Sequence, residues 1–326
     1  MADRTAILDQ GLDPDFAPVV ATYRERLGTR PPLQAISPVM MRERASAEFA
    51  PLNADPEPVA RVRDLTVPAP GRAIPTRLYE PTLGAEGGLL VYFHGGGWMI
   101  GDLDFEDAAL RRIALASGVR ILSVDYRLAP EHVFPAAIED GVAVFRWLAE
   151  GGSGLAVDAQ RIALGGASAG ANVALATALS LRDGGGPQPA FLLLMYGPYS
   201  GESAGRAHDL YGDGSYGLAT EAMRFFWDCY AGADPSARDP LAAPLKADLA
   251  GLPPAYVNHA GMDILADDSV ALVEKLRAAG VSVEHREYPG AIHGFTQFAK
   301  VSPLARRGLR EAGAALAAAL GGNPGR

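Results

Sequence analysis

Ser168 stands in "RIALGGASAGANVALATALS", residues 161–180, where an apolar run ends in Gly166-Ala167-Ser168-Ala169-Gly170 and a small-residue helical stretch begins. A G-x-S-x-G pattern at a strand-to-helix junction forces the serine into a sharp turn that lifts its hydroxyl above the strand ends, and the flanking glycines keep that turn free of clashes. Such a hydroxyl becomes a nucleophile when a base takes its proton and a third group orients the base. Of the six histidines, His293 in "YPGAIHGF" follows the last apolar run, between glycines, and is the candidate base. His94, His132, His208, His259 and His285 are weaker, two of them lying inside strand-like runs and two in loops with no matching carboxylate pattern. For the acid, "PAYVNHAGMDILADD" offers Asp263, Asp267 and Asp268. Asp263 comes first after the run, whereas Asp268 reads as an N-cap or first-turn acid of the helix that follows. Asp125 in "SVDYRLAPEH" is a rival, but it precedes the serine, and the chain order serine, acid, histidine selects Asp263. In "VYFHGGGWMIGD", residues 91–102, three glycines follow another apolar run. Backbone N–H groups can converge there on developing negative charge, with Ala169 N–H completing the set. Together these residues can attack a carbonyl and pass through a covalent intermediate.

Such residues need a scaffold that brings strand ends together. From residue 60 the chain shows eight short apolar runs: "RVRDLTV", "IPTRLYE", "GLLVYFH", "VRILSVDY", "RIALGGA", "FLLLMY", "PAYVNHA" and "VSVEHREY". Each ends in turn or loop chemistry and reads as a strand. Helix-length segments at 104–117, 135–150, 169–183, 269–279 and 302–320 alternate with them, which predicts an α/β fold with a mainly parallel sheet covered on both faces and ligands at the carboxyl ends of the strands. Residues 1–50 carry two helical patches, "FAPVVATYRERL" and "VMMRERASAEF", around a breaker-rich stretch. Residues 198–250 interrupt the alternation with loops and one helix candidate, "ATEAMRFFWDCY", the length expected of a functional insertion.

Composition narrows the function. The chain has 326 residues, 48% hydrophobic and 21% charged, enough for a substantial core. A formal net charge of -9 argues against nucleic acid or anionic membranes as partners. No apolar run reaches the roughly 18 to 20 residues of a membrane span, and the N-terminal "MADRTAILDQGLDPDF" lacks the pattern of a signal peptide. The single cysteine, Cys229, excludes an internal disulfide and fits a reducing compartment, so a cytoplasmic setting is expected.

The ordered set "HGGGW" at 94–98, "DYRLAPEHVFPA" at 125–136, "GASAG" at 166–170, "GMDILADD" at 261–268 and "HGF" at 293–295 resembles the bacterial hormone-sensitive-lipase-like (family IV) carboxylesterases of the α/β-hydrolase superfamily. The resemblance covers about residues 60 to 320. It implies an α/β-hydrolase fold with Ser168 as nucleophile, His293 as general base and acid, Asp263 as orienting carboxylate, and Gly96 and Gly97 as oxyanion donors with Ala169. It further implies a helical cap built from 1–50 and 198–250 over a catalytic core of 51–197 and 251–326. No cofactor or metal is expected, and the expected partner is a small-molecule ester with short- to medium-chain acyl groups. A homodimer is compatible with it. The chain departs from the family at Ala167, where an acid or threonine is usual, at Ala171 after the elbow, at Gly197 in "MYGPY", and at "DIL" in the acid loop. Amide, formamide or carbamate hydrolysis needs the same triad and stays open, as does a non-catalytic small-molecule-binding role, which the presence of His293 with Asp263 disfavours. Trp98, Tyr199, Tyr211 and Phe225 are expected to line the substrate pocket. Asp125, Arg127 and Glu131 are expected to form a local ion-pair network.

Overall fold

All eight apolar runs form strands in the computed structural model, which describes residues 7–29, 31–84, 87–152 and 154–322. The outer ends of the first and last expected segments, 1–6 and 323–326, and with them the start of the stretch read for a leader, lie outside the described residues. The strands are β1 (Arg61–Ala69), β2 (Arg72–Glu80), β3 (Gly87–Phe93), β4 (Arg120–Val124), β5 (Val157–Ala167), β6 (Phe191–Met195), β7 (Ala255–Met262) and β8 (Val283–Ile292). They make one sheet in the order β1-β2-β4-β3-β5-β6-β7-β8. β1 pairs antiparallel with β2 and β2 with β4, and every later pairing is parallel.

Side chains alternate between the two faces of a strand, so a sheet covered on both sides needs two cores. One contains Leu89, Val91, Phe93, Leu164, Leu192, Leu194 and Val257, packed with α4 (Ala136–Ala149), α5 (Ala169–Asp183) and α8 (Ala266–Ala278). The other contains Leu90, Tyr92, Ile121, Ala163, Leu193 and Tyr256, packed with α3 (Asp107–Ser117) and α9 (Pro303–Leu320).

Ahead of the sheet lie α1 (Ala17–Arg26) and α2 (Pro38–Asn53), and residues 7–9 are helical as well. α2 starts where the Ser37 hydroxyl accepts Met40 N–H and Pro38 supplies a preset first turn. The interruption after β6 holds α6 (Arg206–Tyr211) and α7 (Thr220–Ala231). α7 is the helix expected there. α6 escaped the sequence reading because six residues are too few for a helical period to show.

The expected ion-pair network is replaced by another. Arg127 pairs with Asp140 and Glu139 on α4, and its backbone N–H also donates to Asp140. Asp140 is 1% exposed and further paired with Arg72, so this buried carboxylate, not Asp125 or Glu131, takes the guanidinium. Glu131 instead receives a forked pair from Arg42 on α2 at 2.9 and 2.6 Å. Arg42 also donates to the carbonyls of Met99 and Ala129, so α2 is tied to the loops above the sheet.

Parallel register brings the functional segments level. Phe93 is partnered with Gly166, Ala167 with Met195, and Met262 with Ile292. His94, Ser168, Tyr196, Asp263 and His293 are therefore the first residues beyond the carboxyl ends of β3, β5, β6, β7 and β8.

Candidate active site

Ser168 caps α5 with φ 52° and ψ -125°, a conformation that costs an L-residue on the order of 1–3 kcal/mol. Its N–H donates to the Met195 carbonyl, and its own carbonyl accepts from Ala171, which holds the turn closed. Side chains on Gly166 or Gly170 would run into the Gly170 and Phe93 carbonyls, so neither can be replaced without moving backbone. Ser168 Oγ lies 3.0 Å from His293 Nε2. His293 Nδ1 lies 2.7 Å from Asp263 Oδ2, and Asp263 Oδ1 accepts Leu265 N–H. Because the carboxylate can only accept, it fixes the tautomer that leaves Nε2 free to take the serine proton. Asp263 is 2% exposed, so water does not compete for the imidazole.

The glycine loop after β3 bends over the serine. Gly96 and Gly97 have φ of 116° and 59°, and a Cβ on Gly97 would sit 2.6 Å from the Phe226 ring. Among the described residues, the N–H groups of Gly96, Gly97 and Ala169 donate to no protein acceptor. His94 has an internal role: burial lowers its pKa to about 4, its neutral ring stacks on Tyr126 at 4.4 Å, and Nδ1–H donates to the Gly95 carbonyl at 2.7 Å. Above the loop and the serine opens a cavity of about 700 Å³.

A sequence profile described as alpha/beta hydrolase fold matches residues 90–297, the span from the glycine loop to the end of the histidine loop. Esterase LipI of Mycobacterium tuberculosis is 40% identical over 272 residues, covering 81% of this chain and 84% of that protein. The chain belongs to the hormone-sensitive-lipase-like carboxylesterases of the α/β-hydrolase superfamily. Carboxylesterase NlhH of the same organism is 39% identical over 85% of this chain and 89% of its own length. Among solved structures, an ester hydrolase from the metagenome of Lake Arreo, complexed with a bipyridine phosphonate derivative, superposes with a TM-score of 0.88 at 34% identity over 95% of this chain and 99% of that one. A hyperthermophilic esterase from the archaeon Pyrobaculum calidifontis gives 0.87 at 33% identity over 94% and 98%. The chain is thus a carboxylic ester hydrolase, and the acyl-enzyme mechanism is general to its family.

The esterase draws its cavity walls from the cap aromatic Phe226 and from residues that carry no local signal of a pocket. Met41, Ala45 and Phe49 of α2, Ala222, Met223 and Phe226 of α7, and Ile100, Phe105, Tyr196 and Phe298 line it. The four expected lining aromatics do not. Trp98 is fully buried, stacked on Tyr230 at 4.4 Å and 2° and tilted against Trp227, behind the glycine loop. Tyr199 is also fully buried, and a side chain on Gly197 would collide with its ring, so Gly197 in "MYGPY" makes room for it. Tyr211 stands edge-on to Tyr216. Phe225 lies one residue, about 100° of helical turn, from Phe226 and faces away from the cavity.

Other expectations resolve within the esterase. Asp268 does sit in the first turn of α8, but its carboxylate accepts from Tyr199 N–H, Ser200 N–H and the Ser200 hydroxyl, tying the start of the 198–250 segment to the helix after the acid loop. His259 and His285 bond to each other on β7 and β8, and His208 bonds Thr220. Cys229 is half-buried and free. Among the described residues, no helix is long and apolar enough to cross a membrane.

Proposed function

We propose that Ser168, His293 and Asp263 are the catalytic triad of this esterase, that Gly96, Gly97 and Ala169 N–H groups form its oxyanion hole, and that it prefers short- to medium-chain acyl esters. The observation that carries this reading is the unbroken Ser168 Oγ to His293 Nε2 to Asp263 Oδ2 relay, at 3.0 and 2.7 Å, at the floor of a largely apolar cavity. His293 takes the hydroxyl proton as Ser168 attacks the ester carbonyl, and the oxyanion is met by the three free backbone donors. The imidazolium gives its proton to the leaving alcohol. Water, deprotonated by the same His293, then releases the acid. Residues 7–50 and 198–250 act as the cap, since α2 and α7 supply the walls facing Ser168. A cavity of about 700 Å³ falls within the usual range for sites that enclose a small molecule, which supports short to medium chains rather than emulsified triglyceride. The lone free Cys229 supports a cytoplasmic setting. Cell fractionation and analytical ultracentrifugation test that setting and homodimer formation.

The test is hydrolysis of a p-nitrophenyl ester series from acetyl to dodecanoyl, beside matched amides. Ser168→Ala and His293→Ala are each expected to abolish turnover while retaining the fold. Unchanged turnover in either variant overturns the triad. A rate that keeps rising to the longest chains overturns the size assignment.

A further inference from the structure

Glu106 occupies the N-cap of α3, where an acid ordinarily turns back to accept from the first helical N–H groups. It makes no such bond. Its side chain runs instead behind the glycine loop, 3% exposed. There Oε1 accepts Gly95 N–H at 3.1 Å, with Gln297 Nε2 at 3.5 Å, and Oε2 accepts the Tyr92 hydroxyl at 2.5 Å. Among the described residues no Lys or Arg pairs with it, and the charge that favours its ionised form is that of His293. Burying a carboxyl group without a close counter-ion is unfavourable, so hydrogen bonds must hold it in place.

Those bonds converge on one residue. Glu106 fixes the N–H of the peptide between His94 and Gly95, and His94 Nδ1–H fixes the carbonyl of the next peptide, between Gly95 and Gly96. A peptide is planar and trans, so fixing the Gly95 carbonyl also aims the Gly96 N–H in the opposite direction. Gly95 itself is wedged between acid and nucleophile: a Cβ there would lie 3.1 Å from Glu106 Oε1, 3.3 Å from the Ala167 carbonyl and 3.4 Å from Ser168 Cβ. The Gly96 carbonyl accepts Met99 N–H and Ile100 N–H, so the loop itself holds the Gly96–Gly97 peptide. The Gly95–Gly96 plane, with a glycine on each side, is the one that depends on the bonds made to Gly95. Ala167, at the end of β5, offers only a methyl group and cannot supply an acceptor.

We propose that Glu106 is a positioning residue of the esterase: by accepting Gly95 N–H from behind, it locks the start of the glycine loop in the arrangement that presents the Gly96 donor, beside Gly97, to an ester carbonyl on Ser168. This rests on the reading of Gly96 and Gly97 as oxyanion donors. The acceptor oxygen is what matters, not the charge, because a neutral carboxyl or amide oxygen takes the same N–H.

Steady-state kinetics on p-nitrophenyl butyrate test it with the wild type, Glu106→Leu, Glu106→Gln and Tyr92→Phe. Loss of a whole oxyanion donor costs about 10² to 10³ in kcat; loosening one donor without deleting it is expected to cost about 10- to 100-fold in Glu106→Leu, with KM within about twofold. Phosphonylation of Ser168 by an organophosphonate should slow by the same factor, since it too builds charge on oxygen. Glu106→Gln should recover most of the loss. Retention of kcat in Glu106→Leu overturns the proposal, as does a rise in KM alone, or a Glu106→Gln variant as slow as Glu106→Leu. If Glu106→Leu does not fold, Tyr92→Phe decides, with an expected loss of about 3- to 10-fold in kcat at constant KM; an unchanged kcat there overturns the proposal. Wild-type turnover, with Ser168→Ala as control, separates failure of this assignment from failure of the esterase site itself.

Discussion

Replacing Glu106 by Gln should leave a measurable trace in stability as well as in rate. Burial drives the Glu106 carboxyl up to about 7, against 4.5 for a free side chain, with the Tyr92 and Gly95 hydrogen bonds opposing the shift. Between those two values the folded protein keeps a proton that the unfolded chain has lost, so stability falls as pH rises from about 4.5 to about 7 and is level on either side. The interval of about 2.5 pH units corresponds to roughly 3 kcal/mol at about 1.36 kcal/mol per unit. Glutamine keeps the shape and does not titrate, so the variant escapes this loss. Taking an unfolding entropy of about 2.1 cal/mol/K per residue, 3 kcal/mol corresponds to about 4 °C in Tm for a chain of 326 residues. The quantity to measure is the gap in Tm between variant and wild type, by differential scanning calorimetry from pH 4 to pH 8. It should widen in favour of Glu106→Gln by about 4 °C across that range, mostly between pH 5 and 7. A gap constant to within about 1 °C would show that the carboxyl titrates normally and refute the reasoning.

Four further outcomes follow from the geometry. Arg42→Ala removes charged hydrogen bonds to the Met99 and Ala129 carbonyls and should lower stability by roughly 2 kcal/mol in urea titrations. Glu131→Gln, which loses only an exposed partner, should cost less than about 1 kcal/mol. Gly97→Ala brings a Cβ to 2.6 Å from the Phe226 ring at a φ of 59° and should lower kcat about 10²- to 10³-fold; adding Phe226→Ala relieves the contact but not the backbone conformation, so the double variant should stay slow. Phe226→Ala alone opens the cavity wall, and with each buried methylene worth about 0.8 kcal/mol, the kcat/KM ratio of octanoyl to hexanoyl ester should rise roughly tenfold.

What could be read from the sequence was chemistry carried by local patterns. Ser168 sits between glycines at a strand-to-helix junction, and Asp263 and His293 each follow an apolar run, so strand ends and chain order were enough to bring the three together. The eight strands were legible for the same reason, each being a short run with a clear stop. The pocket was not, because a helical period tells which residues share a face but not what that face meets. Phe225, Phe226 and Trp227 are adjacent in sequence, and only the placement of α7 over the glycine loop makes Phe226 the cavity wall. Docking of α2 is itself set by Arg42 reaching loops 57 and more residues away, a pairing no local pattern announces. Glu106 was hidden differently. An acid at a helix start reads as a cap, and only its missing capping bond betrays another use.

The two sides of α7 carry unequal consequences for how this enzyme can diversify. Ala222 and Phe226 face the cavity, while Met223, Trp227 and Tyr230 share one buried stripe, from which Trp227 and Tyr230 brace Trp98 behind the glycine loop. Change at Ala222 therefore alters what the cavity admits, whereas change along the buried stripe reaches the glycine loop that every ester must meet. Phe226 belongs to both, since its ring packs over Gly97, so a directed-evolution library at Ala222 and Phe226 samples new substrates at one position and puts the shared donors under test at the other.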